Sequence, residues 1–410
     1  MTTIQTAALP ARHDLKVMSL IGTGHFFSHF YILLLPPLFP LLKDAFGVDY
    51  VQLGFAIAVL NGVTALTQAP VGFLVDRFGA RGILITGLAL FSLAIGLVGV
   101  WPSYQVLLLL MVVAGLGNSV FHPADYAILS AAVDTRRKGR AFSIHTFGGY
   151  AGFAVAPPVI VSLAAVFGWR LALLLAGVAG LVVTAVMLAN SGVLRADADA
   201  RRRATGSGAA APGWRLLLSG PILMALVFFV MLAFSLGGYT SFSVAAIQAL
   251  YQVDLAAATV PLTCYLVAST LGVLVGGWIA DRTRQHHHVV AGCFLLVALF
   301  SAAIPLLSPP ILLVSVLFAC AGLFSGVVAP SRDMMVSAVT PPGSHGKVFG
   351  FVTTGFSIGG IAGPLLFGLV LDLGDPGDLF WTIAGLSLLT LLVVFAGGRQ
   401  GEPEAVPANR

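Results

Sequence analysis

The amino-acid sequence predicts an all-α membrane protein with twelve transmembrane helices in two pseudo-symmetric halves of six helices each. Of its 410 residues, 58% are hydrophobic and only 9% are charged, which is too little polar surface for a soluble protein of this length. A short motif also occurs twice, about 205 residues apart, and follows a long apolar stretch each time. Together these observations indicate a duplicated unit that lies in lipid.

Twelve segments are long and apolar enough to cross a bilayer, which takes about 20 residues. In chain order they are residues 17–42, 51–74, 83–101, 105–132, 141–166, 171–193, 217–247, 256–279, 289–308, 311–338, 347–371 and 379–397. Backbone polar groups in hydrocarbon must be hydrogen-bonded internally, and a barrel strand needs only about 10 residues. Segments of this length therefore predict helices.

One long polar segment divides the chain. Residues 194–214 are rich in Arg, Asp, Ala, Gly and Ser, and they predict a flexible cytoplasmic linker. The linker separates an N-terminal six-helix half, residues 1–193, from a C-terminal six-helix half, residues 215–410. No cleaved signal peptide is expected before the first span.

The distribution of basic residues predicts the orientation. On the twelve-span map, eighteen of the 21 Lys and Arg lie on one side, and cytoplasmic loops collect positive charge. Both termini are therefore expected in the cytoplasm, in a multi-pass protein of the cell inner membrane. The net charge of +5 follows from the same bias and does not indicate a nucleic-acid partner.

The repeated motif has a physical rationale of its own. Its residues are Gly72, Asp76, Arg77, Gly79 and Arg81 in the first copy and Gly277, Asp281 and Arg282 in the second. Glycine permits a tight turn, and Asp76 at a helix boundary can accept from backbone N–H groups or from an arginine. Such a bond can form in one conformation and break in another. The alternative is a solvated loop that follows the charge rule.

This doubled motif resembles the signature loop of the major facilitator superfamily, and the resemblance covers nearly the whole chain. It implies a transporter that binds a small-molecule substrate, works by alternating access and functions as a monomer. Two stretches, Gly117–Pro123 with the following Phe147–Gly149 and Pro157, and Gly24–His25, resemble the fosmidomycin-resistance type of efflux carrier. The chain departs from that pattern at His29, where the family has an acidic residue.

Ionisable residues within spans are costly and are functional candidates by default. They are His25, His29, His122, Asp125, His145, Arg332 and Asp333. At an offset of 207 residues, which also pairs Gly115 with Gly322, Asp125 aligns with Arg332. If the two halves repeat about an axis along the membrane normal, this predicts a cytoplasmic-side gate or a coupled substrate site. The alternative is that Arg332 pairs with Asp333 or extends to the interface.

The histidines suit a proton-linked step, because an imidazole titrates near neutral pH. His25 and His29 lie four residues apart and share one face of a helix. His122 precedes Pro123, which loosens the helix near Asp125, and with His145 these residues can form a relay. The alternative for each histidine is a hydrogen bond between helices. A zinc site from two histidines alone is disfavoured.

Polar side chains that interrupt the apolar spans are candidates for lining a substrate cavity. They include Asn61, Asn118, Tyr239 and Thr354. Hydrogen bonding between helices is the commoner role of such residues.

Three hypotheses for function follow. The sequence has no P-loop, nucleophile elbow or metal-ligand set, so we expect no enzymatic activity, no cofactor and no metal. The first hypothesis is proton-coupled export, as an antiporter, of small drug-like or anionic compounds. The second is a symporter or uniporter for uptake of a small organic anion whose carboxylate or phosphonate binds Arg332. The third, a non-transporting sensor or scaffold, has no support from a soluble domain.

Overall fold

The computed structural model describes residues 11–194, 214–341 and 345–398, and these residues form α-helices joined by short turns. Eleven helices in this part of the chain are long and apolar enough to cross a membrane. The chain divides into two compact units, residues 1–208 and 209–410. Residues 195–213 of the predicted linker lie outside the described residues.

The first unit contains seven helices between residues 11 and 189. They are α1 (Ala11–Ile32), α2 (Phe39–Phe46), α3 (Tyr50–Phe78), α4 (Ala80–Val100), α5 (Tyr104–Asn118), α6 (Phe121–Ala132) and α7 (Lys138–Ala189). The break between α5 and α6 divides the predicted span 105–132, and it precedes Pro123. Proline has no N–H to donate to the preceding turn, which explains the break.

Helix α7 accounts for the difference between eleven helices and twelve spans. It covers 52 residues but is non-helical at Gly168, where φ is +77°. Ile144 precedes Gly168 in the chain and Met187 follows it, yet both lie next to the same turn of α1. A Cβ atom on Gly22 would lie 3.3 Å from Ile144, and one on Gly24 would lie 3.5 Å from Met187. The chain therefore reverses at Gly168, between the predicted spans 141–166 and 171–193, and the predicted fold class is confirmed.

Within residues 214–341 and 345–398, the second unit contains seven α-helices. They are α8 (Trp214–Leu217), α9 (Gly220–Tyr251), α10 (Leu255–Ala280), α11 (His286–Leu307), α12 (Ile311–Ala338), α13 (His345–Leu373) and α14 (Asp378–Gly398). Its core is apolar and includes Phe228, Phe229, Phe294 and Val352. The predicted span 311–338 is a single helix here, although Pro330 lies within it.

Candidate functional site

A buried acid lies between two imidazole rings in the first unit. Asp125 is on α6, one turn after its start at Phe121, and no part of it is exposed. Its Oδ2 lies 3.2 Å from Nδ1 of His25 on α1 and 3.1 Å from Nε2 of His145 on α7. His25 is 3% exposed and His145 is 2% exposed. Three helices thus bring together a carboxylate and two imidazoles. His145 is hydrogen-bonded to Asp125, whereas the His25 contact has the distance of an ion pair without hydrogen-bond geometry.

The second carboxylate oxygen of Asp125 has a different environment. Oδ1 is buried, and no hydrogen-bond partner for it is found among residues 11–194, 214–341 and 345–398. An unsatisfied buried oxygen costs about 1–3 kcal/mol, and more when it is charged. The cluster is therefore poised to take up a positive charge.

Two further histidines extend the cluster. The His29 ring lies 4.5 Å from the His25 ring and 4.4 Å from the Phe153 ring, measured between centroids. The His122 ring lies 5.4 Å from the His25 ring. His29 is half-buried and His122 is exposed, so the group runs from fully buried Asp125 to the surface of the unit.

The same three central residues could by their spacing hold a metal ion. His25, Asp125 and His145 each offer one ligand atom, and these atoms lie within 4.8 Å of one another. The sequence analysis weighed only His25 and His29 for a metal site, whereas this set has Asp125 and His145 beside His25. The available signal was that the first, fourth and fifth spans each contain an ionisable residue of this set.

Glycines on α7 allow this helix to pack closely on α1 and leave space for the imidazole rings. A Cβ atom on Gly149 would lie 3.0 Å from His25 Nε2 and 3.1 Å from His29 Cε1. On either side, Gly148 and Gly152 approach the backbone carbonyls of Gly22 and Phe26. Only glycine lets the two helix backbones approach this closely.

In the second unit, Arg332 pairs with its neighbour. Its Nε donates to Oδ1 of Asp333 over 2.9 Å, which is the local pairing that the sequence analysis named as the alternative. The predicted gate between Asp125 and Arg332 joins residues of the two units, and it stays a prediction.

The cavity candidates have different surroundings. Asn118 is half-buried and donates to Thr64 Oγ1 over 3.3 Å, which ties α5 to α3. Asn61 is also half-buried. Thr354 is exposed and donates to the carbonyl of Phe351. For these three residues cavity lining remains a prediction.

Tyr239 lies in the core of the second unit, and its role in a substrate cavity stays a prediction. Tyr239 is 1% exposed, its hydroxyl lies 2.7 Å from Ser301 Oγ, and its ring stacks on that of Tyr265 at 4.4 Å. An aromatic ring buried on all sides with a satisfied hydroxyl is a core residue. In the structure Tyr239 therefore packs helices of the second unit together.

The repeated motif forms tight helix connections. Gly79 has φ of +92° and joins α3 to α4 in a single residue, as its glycine predicts. Asp76 and Arg77 are exposed, and Arg77 lies over the Phe78 ring at 5.2 Å. In the second copy, Arg282 donates to the carbonyl of Trp278 and lies over its ring at 4.1 Å. Within the described chain, neither arginine pairs with the aspartate of its own motif, so the predicted switchable bond stays a prediction.

Sequence reasoning missed a buried ion pair at the start of α1. Asp14 is fully buried, and it accepts from Arg137 Nε over 2.6 Å and from the backbone N–H of Asp134 over 3.2 Å. The available signal was an acid just before the first span together with the basic segment after the fourth. This pair ties α1 to the connection between α6 and α7.

Comparison with known proteins agrees with this architecture. The family model described as Major Facilitator Superfamily matches residues 21–245 and 227–410. The Fosmidomycin resistance protein of Escherichia coli (strain K12) is 25% identical over 394 residues, covering 94% of this chain and 93% of that protein. The Probable sulfoacetate transporter SauU of Cupriavidus necator is 24% identical and covers 85% of each chain.

A solved structure has the same fold. The crystal structure of a bacterial homolog to the human lysosomal transporter Spinster, in an inward-facing and occupied conformation, matches with a TM-score of 0.80. The match covers 97% of this chain and 100% of that one at 14% identity, and it concerns the fold alone.

Proposed function

The chain belongs to the Major Facilitator Superfamily, and from this premise we propose that it is a proton-coupled exporter of small drug-like or anionic compounds. It is a multi-pass membrane carrier, not an enzyme, and it transports a small-molecule substrate. Its two units provide the two halves that alternating access requires.

The observation that carries the proton coupling is the contact of Asp125 Oδ2 with both His25 and His145. An intramembrane carboxylate next to imidazoles is the kind of group that pumps and transporters use to carry protons. A proton that arrives at Asp125 changes the charge of a fully buried cluster, and this change biases one conformation over another. The half-buried His29 and exposed His122 extend the cluster toward the surface of the unit.

Export as the direction is supported by the relative named Fosmidomycin resistance protein, which matches over nearly the full length of both chains. With the proton gradient directed inward, exchange of protons for substrate drives export. We further propose that the protein lies in the cell inner membrane, with both termini in the cytoplasm, and acts as a monomer.

Uptake of a small organic anion is the second candidate function. It is favoured by Arg332, a cation within span 311–338, and by the relative named Probable sulfoacetate transporter. In this case protons and substrate move in the same direction, or the substrate moves without protons.

Transport into proteoliposomes under an imposed pH gradient tests both candidates. The substrates are radiolabelled small carboxylates and phosphonates, and the variant is Asp125→Asn, which keeps the shape of the side chain but cannot release a proton. We expect substrate to move opposite to protons and the variant to lose at least about tenfold in gradient-driven rate. The matched control is Asp44→Asn, the same change at an exposed residue of α2, which we expect to transport normally.

The alternatives give different results. Substrate that moves with the protons indicates uptake, and transport by Asp125→Asn at the wild-type rate would overturn the coupling role. Transport that ignores the pH gradient but needs an added divalent cation would mean that the cluster holds a metal ion instead of a proton.

A further inference from the structure

We propose that Arg332 recognises a carboxylate on the substrate, and that Phe229 and Phe356 hold its guanidinium in place for this purpose. The inference rests on the proposed function as a carrier and names the class of substrate. It applies to transport in either direction, because a binding group serves loading and release alike.

Two aromatic rings fix the position of the guanidinium. The Arg332 Cζ atom lies 5.0 Å from the Phe229 ring centroid and 5.4 Å from the Phe356 ring centroid. The two rings meet edge to face, with centroids 4.9 Å apart and planes at 72°. Cation–π contacts contribute about 0.5–1 kcal/mol each at exposed sites and more when they are desolvated. Arg332 is therefore held by helices α9 and α13 as well as by its own helix α12.

Glycine packing sets this aromatic pair in position. A Cβ atom on Gly355 would meet the Phe229 Cβ and the carbonyl of Leu226, and one on Gly359 would meet Ala233. The backbone of α13 therefore lies directly on α9, and this close approach brings the ring of Phe356 against that of Phe229.

The hydrogen-bonding capacity of Arg332 is only partly used. A guanidinium has five N–H groups, and Arg332 uses Nε on Asp333. In the described part of the chain, its Nη1 and Nη2 groups make no hydrogen bond. These two nitrogens form the end of the fork that matches the two oxygens of a carboxylate. The side chain is only 17% exposed, so a bond made there is shielded from water.

The surrounding charges favour a single negative charge on the ligand. Asp333 already balances part of the positive charge of Arg332, and it is 50% exposed. Phe356 is half-buried, and its ring favours an apolar body on the ligand next to the charged group. A monocarboxylate with an aromatic or aliphatic body fits both features.

Equilibrium binding of radiolabelled benzoate to the purified full-length protein in detergent tests the inference. We expect unlabelled benzoate and hexanoate to displace the label, and benzamide, a neutral molecule of the same shape, not to displace it. Arg332→Gln should weaken binding at least about tenfold, because it removes a charge-assisted bidentate contact. Arg332→Lys keeps the charge without the fork and should give an intermediate loss.

Two further variants make the test specific. Arg170→Gln is the matched control, because Arg170 also lies over an aromatic ring, that of Trp169 at 5.4 Å, and it should bind benzoate like the wild type. Asp333→Asn removes the competing acceptor and should strengthen binding about two- to fivefold. Each variant is first checked for a single peak in gel filtration and for its thermal unfolding temperature.

Three outcomes would overturn the inference: no benzoate binding by the wild type, equal displacement by benzamide, or wild-type affinity in a folded Arg332→Gln protein. The result is separable from the transport experiment, since binding in detergent needs no gradient. Benzoate binding without proton-driven transport would reject the proposed coupling and leave the carboxylate site standing. Proton-driven transport without benzoate binding would reject the carboxylate site and leave the proposed proton coupling standing.

Discussion

The first and second units pack corresponding helices together in the same way but place different side chains between them. Glycines of one helix lie against backbone carbonyls of the other in both units. These contacts are Gly148 on Gly22, Gly152 on Phe26, Gly355 on Leu226 and Gly359 on Val230. The register therefore repeats with an offset of 204 residues from α1 to α9 and 207 residues from α7 to α13.

This register shows which side chains occupy equivalent positions. The equivalent pairs are His25 and Phe229, Gly149 and Phe356, and Asp125 and Arg332. One unit thus has an acid between imidazoles, and the other has a base against aromatic rings. The two units share the backbone packing but carry side chains of opposite charge at its centre. We infer that the first unit specialised in a proton and the second in an anion, which divides the two tasks of a coupled carrier.

The largest effect is expected when Gly149 of the first unit is replaced by phenylalanine, the residue at the equivalent position of the second unit. In Gly149→Phe the ring must displace His25 and His29, because even a Cβ atom would lie 3.0–3.1 Å from them. We expect gradient-driven transport to fall at least about tenfold and the protein to lose about 1–3 kcal/mol from overpacking. Proteoliposome transport and thermal unfolding measure both effects. Gly350→Ala, a glycine with nothing within 4 Å, is the control. Wild-type transport by Gly149→Phe would show that the imidazole positions do not matter.

A second exchange removes one imidazole from the acid. Val352 is the counterpart of His145, so His145→Val makes the first unit resemble the second. The change removes the 3.1 Å hydrogen bond to Asp125 and leaves this buried carboxylate with the His25 ion-pair contact at 3.2 Å. We expect a loss of about 1–3 kcal/mol in the free energy of unfolding and a several-fold slower gradient-driven transport. Calorimetry with parallel transport assays tests this, and an unchanged unfolding temperature would argue against the hydrogen bond.

The exchange in the second unit should have a milder effect. Phe356→Leu keeps an apolar side chain but removes one of the two rings near Arg332. Loss of a cation–π contact of about 0.5–1 kcal/mol predicts about two- to fivefold weaker binding of benzoate. Proton coupling should be unaffected. A loss of gradient-driven proton movement in this variant would mean that the two tasks are not divided between the units.

The smallest effect is expected where the units are alike. Each has a buried tyrosine that bonds a serine: Tyr31 with Ser92 at 3.1 Å and Tyr239 with Ser301 at 2.7 Å. Tyr31→Phe and Tyr239→Phe should each cost about 1 kcal/mol of stability and leave transport unchanged. Thermal unfolding of the two variants side by side checks this. A transport defect confined to Tyr239→Phe would support the predicted role of Tyr239 in the substrate cavity.

The sequence was sufficient for the fold because lipid imposes regular rules. The lengths and hydropathy of the spans predict helices, and the repeated motif predicts the duplication. Even the reversal at Gly168 lies in the short gap predicted between two spans. The division of span 105–132 at Ser119–Val120 was foreshadowed only by Pro123.

The candidate site was predictable as a set of residues but not as a geometry. The free-energy cost of an ionisable group in the membrane singles out His25, Asp125 and His145. The hydrophobic periodicity, however, predicts the orientation of each helix too loosely to place their atoms in contact. Phe229 and Phe356 gave no signal, because aromatic residues are ordinary in apolar spans. For Tyr239 the polar hydroxyl suggested a cavity, and nothing in the sequence indicated that the side chain is buried in the core.

The reversal at Gly168 also bears on how the protein is made. Residues 141–166 and 171–193 are joined only by residues 167–170, and the chain reverses at Gly168. We expect spans joined this closely to enter the bilayer together, as one helical hairpin. A residue with a side chain strains a backbone with φ of +77°. Replacing Gly168 should consequently lower the yield of inserted protein before it alters any property of the finished carrier.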